Sequence, residues 1–221
     1  MFKRLSKLRR FLLACCLLFG LWFFIPRQAN MEDFDPARMG RLESDMWRHY
    51  YDKSYARMAG ALFLASHGQY GFSPWDSLRM AWHAAQAARR TQPTQPRAQA
   101  FAVGIPPLTE YYRIIQKATG AAWQPEDLAP MELEWWVQRR ENATWQQYGE
   151  TIARLTARAY DAPLERVRPA CLLRAEMMDY RDQRRNGLMT AEDWQHITTE
   201  LGKSWALLKT AVTPQPARRD P

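Results

Sequence analysis

From about position 35 to position 212 the apolar residues return every three or four places. No segment alternates apolar and polar positions long enough to read as a strand. The chain is therefore expected to be all-α. Met39, Leu42, Met46 and Tyr50, followed by Ala61, Leu62 and Ala65, predict one helix from Asp35-Pro36 to about Ala65, stopped by Gly68 and Gly71. Ser73-Pro74-Trp75-Asp76 opens a second, with Ser73 as cap, Pro74 in the first turn and Asp76 completing a capping box. Its apolar stripe is Trp75, Leu78, Trp82 and Ala85. A proline-punctuated connection over 91–97 leads to a third helix, which starts at Pro106-Pro107 and turns Leu108, Tyr111, Tyr112 and Ile115 inward. A fourth follows Pro125 and runs to about Glu141, with acids in its first turn as the helix dipole prefers. Thr144 and Gln147 open the fifth, striped by Trp145, Tyr148, Ile152, Leu155 and Ala159. Pro163 opens the sixth, which Asn186-Gly187 ends, and Thr190 and Asp193 cap the last, striped by Trp194, Ile197, Leu201, Trp205 and Leu208. These seven helices predict a helical bundle or orthogonal array over residues 31–213, followed by a frayed tail at 214–221.

Residues 1–30 follow a different rule. Phe11 to Ile25 is apolar without interruption, preceded by Lys3, Arg4, Lys7, Arg9 and Arg10 and closed by Pro26-Arg27. Fifteen helical residues reach about 22 Å, short of the ~30 Å hydrocarbon core, although snorkelling arginines and local thinning can shorten the span. A cleaved signal peptide fits poorly, because Arg27-Gln28-Ala29 puts Arg where a small residue is needed. A lipoprotein site at Leu12-Leu13-Ala14-Cys15 leaves almost no hydrophobic stretch before the cysteine. The expectation is an uncleaved anchor helix over residues 11–25, with Trp22 at the interface. The basic flank then places the N-terminus in the cytoplasm and the domain outside, in the periplasm of a Gram-negative cell. A start at Met31 is the alternative, and it leaves no anchor.

Charge and cysteines narrow the classes. The formal +8 comes mostly from the leader: beyond residue 30, 25 basic side chains face 23 acidic ones, and they interleave rather than form a phosphate-tracking stripe. No nucleic-acid partner is expected. Arg outnumbers Lys 25 to 6, the usage of a GC-rich, bacterial genome. Cys15 and Cys16 lie in the leader, so Cys171 has no disulfide partner within the domain and reads as a small buried hydrophobe. Ten tryptophans imply either a core of large rings or a cavity for an apolar ligand.

The informative polar residues are charges inside apolar stripes, since burial of a charge is costly unless it is paired. Glu43 sits among Met39, Met46, Trp47 and Tyr50. Glu132 and Glu134 share faces with Leu128, Met131, Trp135 and Arg139, and Arg174 and Arg181 interrupt the stripe of Leu164, Val167, Cys171 and Met178. Together Glu43, Glu132, Glu134, Arg139, Arg174 and Arg181 form either an ion-pair network that registers the helices or a site walled by Trp47, Tyr50, Trp82, Tyr111 and Trp135.

A carboxylate-bridged two-metal centre needs Glu-x-x-His on two helices. Glu176, Asp179 and His83 add candidates, but the nearest spacings are Asp45-x-x-x-His49 and Asp193-x-x-His196, so no metal or cofactor is assigned. Gly-rich phosphate loops, Gly-x-Ser-x-Gly and His-Glu-x-x-His are absent. Asp179-Tyr-Arg-Asp182 carries Arg181 within it and has no second acidic cluster, which argues against a magnesium–diphosphate site. Asn142-Ala-Thr144 matches the glycosylation sequon, but Thr144 reads as a cap.

The expectation is a membrane-tethered, non-enzymatic binding domain that takes a protein partner or an apolar ligand at the membrane. The alternatives are a carboxylate–metal oxidase or hydrolase, and a carrier of a lipid or quinone.

Overall fold

The computed structural model describes residues 2–92, 96–184 and 189–213. Among the described residues every regular element is a helix: α1 (Phe2–Phe24), α2 (Pro36–Tyr51), α3 (Tyr55–Tyr70), α4 (Pro74–Thr91), α5 (Arg97–Thr119), α6 (Pro125–Arg140), α7 (Trp145–Tyr160), α8 (Leu164–Gln183) and α9 (Ala191–Val212). The all-α expectation holds. The stop expected at Asn186-Gly187 and the tail at 214–221 lie outside the described residues, as does part of the 91–97 connection.

Two boundaries differ from the pattern. The helix expected from residue 36 to 65 is two helices, because Lys53 takes a left-handed φ of 55°, and α2 is closed by the N–H of Asp52 donating to Arg48 O and that of Lys53 to Tyr50 O. The polar trio Asp52-Lys53-Ser54 competes poorly for helix, and the apolar stripe resumes beyond it. Conversely, α5 begins nine residues before Pro106 and runs through both prolines. An interior proline costs roughly 3 kcal/mol. Burial of Ala100, Gly104, Pro107 and Leu108 outweighs that cost, as packing usually decides helix stability. The expected caps form: Ser73, Thr144 and Thr190 side chains accept from the backbone N–H three residues on, and Thr144 and Thr190 complete capping boxes.

From α2 to α9 each helix packs on the next, and α9 closes back onto α2, so eight helices form a ring. Its filling is apolar in two clusters, a larger one in which Leu128, Leu133, Ile152, Ile197 and Leu201 are fully buried and a smaller one around Phe34, Met39 and Val167. The closing seam is tight: a Cβ on Gly40 of α2 would lie 2.5 Å from the Gly202 backbone nitrogen of α9. Polar groups fasten it, buried Ser44 and half-buried Thr198 sharing a 2.7 Å hydrogen bond across the two helices.

The leader forms a helix, α1, yet among the described residues no helix is long and apolar enough to cross a membrane. The expected spanning anchor is therefore unsupported, and the reason is the one its length gave: the apolar run is too short. What α1 does is lean on the ring. Phe24 lies 5.2 Å and Phe23 6.3 Å from the Trp75 ring of α4, and Trp22 meets His67 of α3 edge-on. Behind it the strand-like link is pinned, since Ala29 donates to Ala118 O and Asn30 to Tyr70 O, both at 2.9 Å, and Ala29 is buried.

Candidate binding cleft

The ring is not filled at one end. There the C-terminal turns of α2, α4, α6 and α8 and the first half of α3 surround a cleft of about 520 Å³. Its walls are aromatic and sulfur-bearing (Trp47, Tyr50, Tyr51, Trp135, Trp136, Met58, Met178), and four guanidinium groups reach it: Arg139, Arg140, Arg174 and Arg181. The position explains part of this chemistry. Helix C-termini carry partial negative charge, so arginine in a last turn is favourable, and Arg139, Arg140 and Arg181 occupy such turns. Arg174 lies in mid-helix and has another reason to be there.

That reason is Glu43. Arg174 Nε donates to Glu43 Oε1 at 2.5 Å, and Trp205 Nε1 donates to Glu43 Oε2 at 2.8 Å, so both carboxylate oxygens are bonded inside the wall. Burial alone would lower the Arg174 pKa, but the Glu43 and then the Glu132 carboxylates outweigh it and leave it raised. Glu132 is held by Tyr112 OH at 2.8 Å and Trp136 Nε1 at 2.9 Å. Asp182 accepts from Arg139 Nε at 2.7 Å and Arg181 Nη1 at 3.3 Å, and Arg139 also donates to Tyr51 OH at 2.5 Å. Arg139, like Arg174, is lowered by burial and raised further by its neighbours, here Tyr51 and Asp182. The Arg181 guanidinium stacks 3.1 Å above the Tyr51 ring centroid.

The carboxylates are thus spoken for, whereas the donors are in excess. Arg140 donates to Thr91 O. Burial pulls its pKa below the usual arginine value, with Tyr50 and Glu141 offsetting only part. Arg181 Nε and Trp135 Nε1 are both buried with no hydrogen-bond partner. A buried donor without an acceptor costs about 1–3 kcal/mol.

Of the residues expected from the sequence, Trp47, Tyr50, Trp135, Glu132, Arg139, Arg174 and Arg181 do converge on the cleft, with Glu43 behind Arg174. Three do not. Glu134 points to the far side of α6, paired with Arg97 and bonded by Gln138 Nε2 at 3.0 Å. Tyr111 stacks edge-on with Tyr112 outside the cleft lining. Trp82 is 62% exposed on the outer face of α4, because that helix turns Ser77, Met80, Ala81 and Ala87 inward instead. Sequence reading missed Tyr51, Arg140 and Asp182. Asp182 carries a signal, since it sits one helical turn from Met178 and beside Arg181, but its place in Asp179-Tyr-Arg-Asp182 points to a magnesium motif instead.

Among the described residues no three of His, Cys, Asp and Glu gather as a metal-binding group. Two of the expected candidates have other partners: Asp193 accepts from Tyr180 OH at 2.6 Å and completes the α9 capping box, and Asp179 accepts from Gln183. The fold and cleft define an all-helical ring with a donor-rich aromatic pocket at one end. No family model, curated protein or solved structure matches the chain.

Proposed function

We propose that this is a non-enzymatic binding domain, held at a membrane surface by residues 11–25, whose cleft takes an amphipathic anion. The ligand has an apolar or aromatic body and one carboxylate or phosphate head group. The observation that carries this reading is the donor excess: four arginines line an aromatic cleft whose own acids, Glu132 and Asp182, are already hydrogen-bonded. Arginine suits a planar anion because its fork donates in pairs, and the rings supply apolar area for the body. The cleft volume of about 520 Å³ falls within the range of small-molecule pockets. The apolar-carrier alternative becomes part of this reading, with a head group added, while the carboxylate–metal alternative finds no donor cluster among the described residues.

The test is a fluorescence titration of the full chain with 2-naphthyl phosphate, read through Trp47, Trp135 and Trp136, against neutral 2-naphthol. Saturable quenching by the phosphate, with far weaker binding of the naphthol, is the expected result. Equal affinity for both, or no saturation by the phosphate, overturns the proposal.

A further inference from the structure

The large exposed hydrophobic residues are not scattered. Among the described residues, Phe11 to Ile25 of the leader supply most of them, Leu64 lies on α3, and Trp75, Leu78 and Trp82 lie on α4; Leu207 alone falls elsewhere. The three α4 residues, 39%, 48% and 62% exposed, are spaced three and four apart and so form one outward stripe. This inverts the usual arrangement, since α4 buries small residues and shows its largest ones to the outside. Beside it α3 presents Ala56, Gly60 and Leu64 outward and contains no acidic residue at all. The α1 apolar surface runs on into this stripe through the Phe23, Phe24 and Trp75 rings.

Charge on this face is of one sign. Arg57 on α3 and Arg79 and Arg89 on α4 are basic, and the single acid of the two helices, Asp76, bonds Ser73 and pairs with Arg79. Arg9, Arg10 and Arg27 flank the α1 apolar run, and Arg27 stacks over Trp22. Tryptophan beside arginine around an apolar strip is the chemistry of a membrane–water interface.

We propose that the outer face of α3 and α4 lies on an anionic lipid bilayer, with α1 in the plane of the interface beside it rather than across the membrane. The apolar run of α1 is too short to cross, and its last turn meets Trp75 at the edge of this face. Leu78 and Trp82 then enter the head-group region, while Arg57, Arg79 and Arg89 meet lipid phosphates. The proposal rests on the membrane-surface part of the function proposed above, and it replaces a flexible tether by a fixed orientation.

The experiment places an environment-sensitive fluorophore on Leu78→Cys in the full chain, with Cys15→Ser and Cys16→Ser removing the exposed thiols. A control carries it on Thr199→Cys of α9, which is exposed on another helix. Mixed phosphatidylcholine and phosphatidylglycerol vesicles should blue-shift the Leu78 probe with a several-fold rise in intensity, and doxyl-labelled lipid should quench it, while the Thr199 probe stays unchanged. Vesicle binding with an unshifted Leu78 probe overturns the docked face and leaves the tether standing. A shifted probe that doxyl lipid does not quench identifies a second copy of the chain as the cover and also overturns it. Equal partition onto phosphatidylcholine alone overturns the anionic requirement, and no vesicle binding at all overturns the tether as well.

Discussion

Glu43 and Arg174 stand 131 residues apart in the chain and 2.5 Å apart in the fold, where their ion pair joins α2 to α8 at the back of the cleft. Glu43 is 5% exposed, so removing Arg174 strands a buried charge. Arg174→Met should cost about 3 kcal/mol in urea unfolding, by the usual penalty for leaving a buried charge unpaired. The double variant Glu43→Leu with Arg174→Met should recover most of that loss, because it removes both charges together. A double variant as unstable as the single one would show that Trp205 Nε1, left without its acceptor, dominates instead.

Anion binding should depend on Arg181 more than stability does. Arg181→Met keeps the packing over Tyr51 while deleting the charge and the unpartnered Nε donor. A charge-assisted hydrogen bond contributes about 1.5–3 kcal/mol, so 2-naphthyl phosphate should bind roughly tenfold or more weakly. Binding of 2-naphthol should not change. Added salt should weaken the phosphate and leave the naphthol alone, which titrations at low and high ionic strength would show.

The two glycines of the α2–α9 seam should respond in opposite directions to the same change. Gly40→Ala drives a methyl to within 2.5 Å of backbone nitrogen in α9, where no side chain can rotate away. A loss of about 1–3 kcal/mol or more is expected from such overpacking. Gly202→Ala meets nothing closer than the Ala37 Cα at 4.0 Å, an ordinary contact. Its gain in helix propensity should stabilise by about 0.5–1 kcal/mol. Thermal unfolding of the two variants decides the matter.

High pH should weaken the fold through Cys171. Burial pushes its thiol up from 9.0 to about 11, with Thr156 and Arg174 opposing. The folded state holds the proton more tightly than the unfolded one, so the contribution is complete below pH 9 and fades as the pH climbs through 11. The difference is on the order of 2 kcal/mol. Urea midpoints should therefore fall between pH 8 and pH 11, less steeply in Cys171→Ala. Half-buried Tyr160, raised to about 12 chiefly by desolvation, adds to the decline at the upper end. At pH 8 iodoacetamide should spare Cys171 until the chain is unfolded.

The sequence carried the fold class and most helix starts because caps are local: Ser73, Thr144 and Thr190 announce their helices within four residues. The α2–α3 break was legible too, in Asp52-Lys53-Ser54, but a stripe of the same period on either side concealed it. The helix through Pro106 was not, since only the packing of Gly104 against Thr91 and Leu133 explains it. In the cleft, charges inside apolar stripes found Arg139, Arg174 and Arg181 but could not separate the wall from its backing. Glu43 and Arg174 read alike from periodicity, although only Arg174 lines the cleft. The α4 stripe misled for an instructive reason. Periodicity reveals that a helix has an apolar face, and it leaves open whether protein or something else covers that face.

The closing of the ring by α9 has a consequence for the order in which the chain is made. On a ribosome Ser44 emerges 154 residues before Thr198, its partner across the seam, and Glu43 emerges 162 residues before Trp205. At ordinary bacterial and eukaryotic synthesis speeds that is a wait of roughly 8–30 s. A seam of leucines would spend that interval as an adhesive strip. Glutamate, serine and glycine spend it wetted, and they become interior only when the last helix arrives.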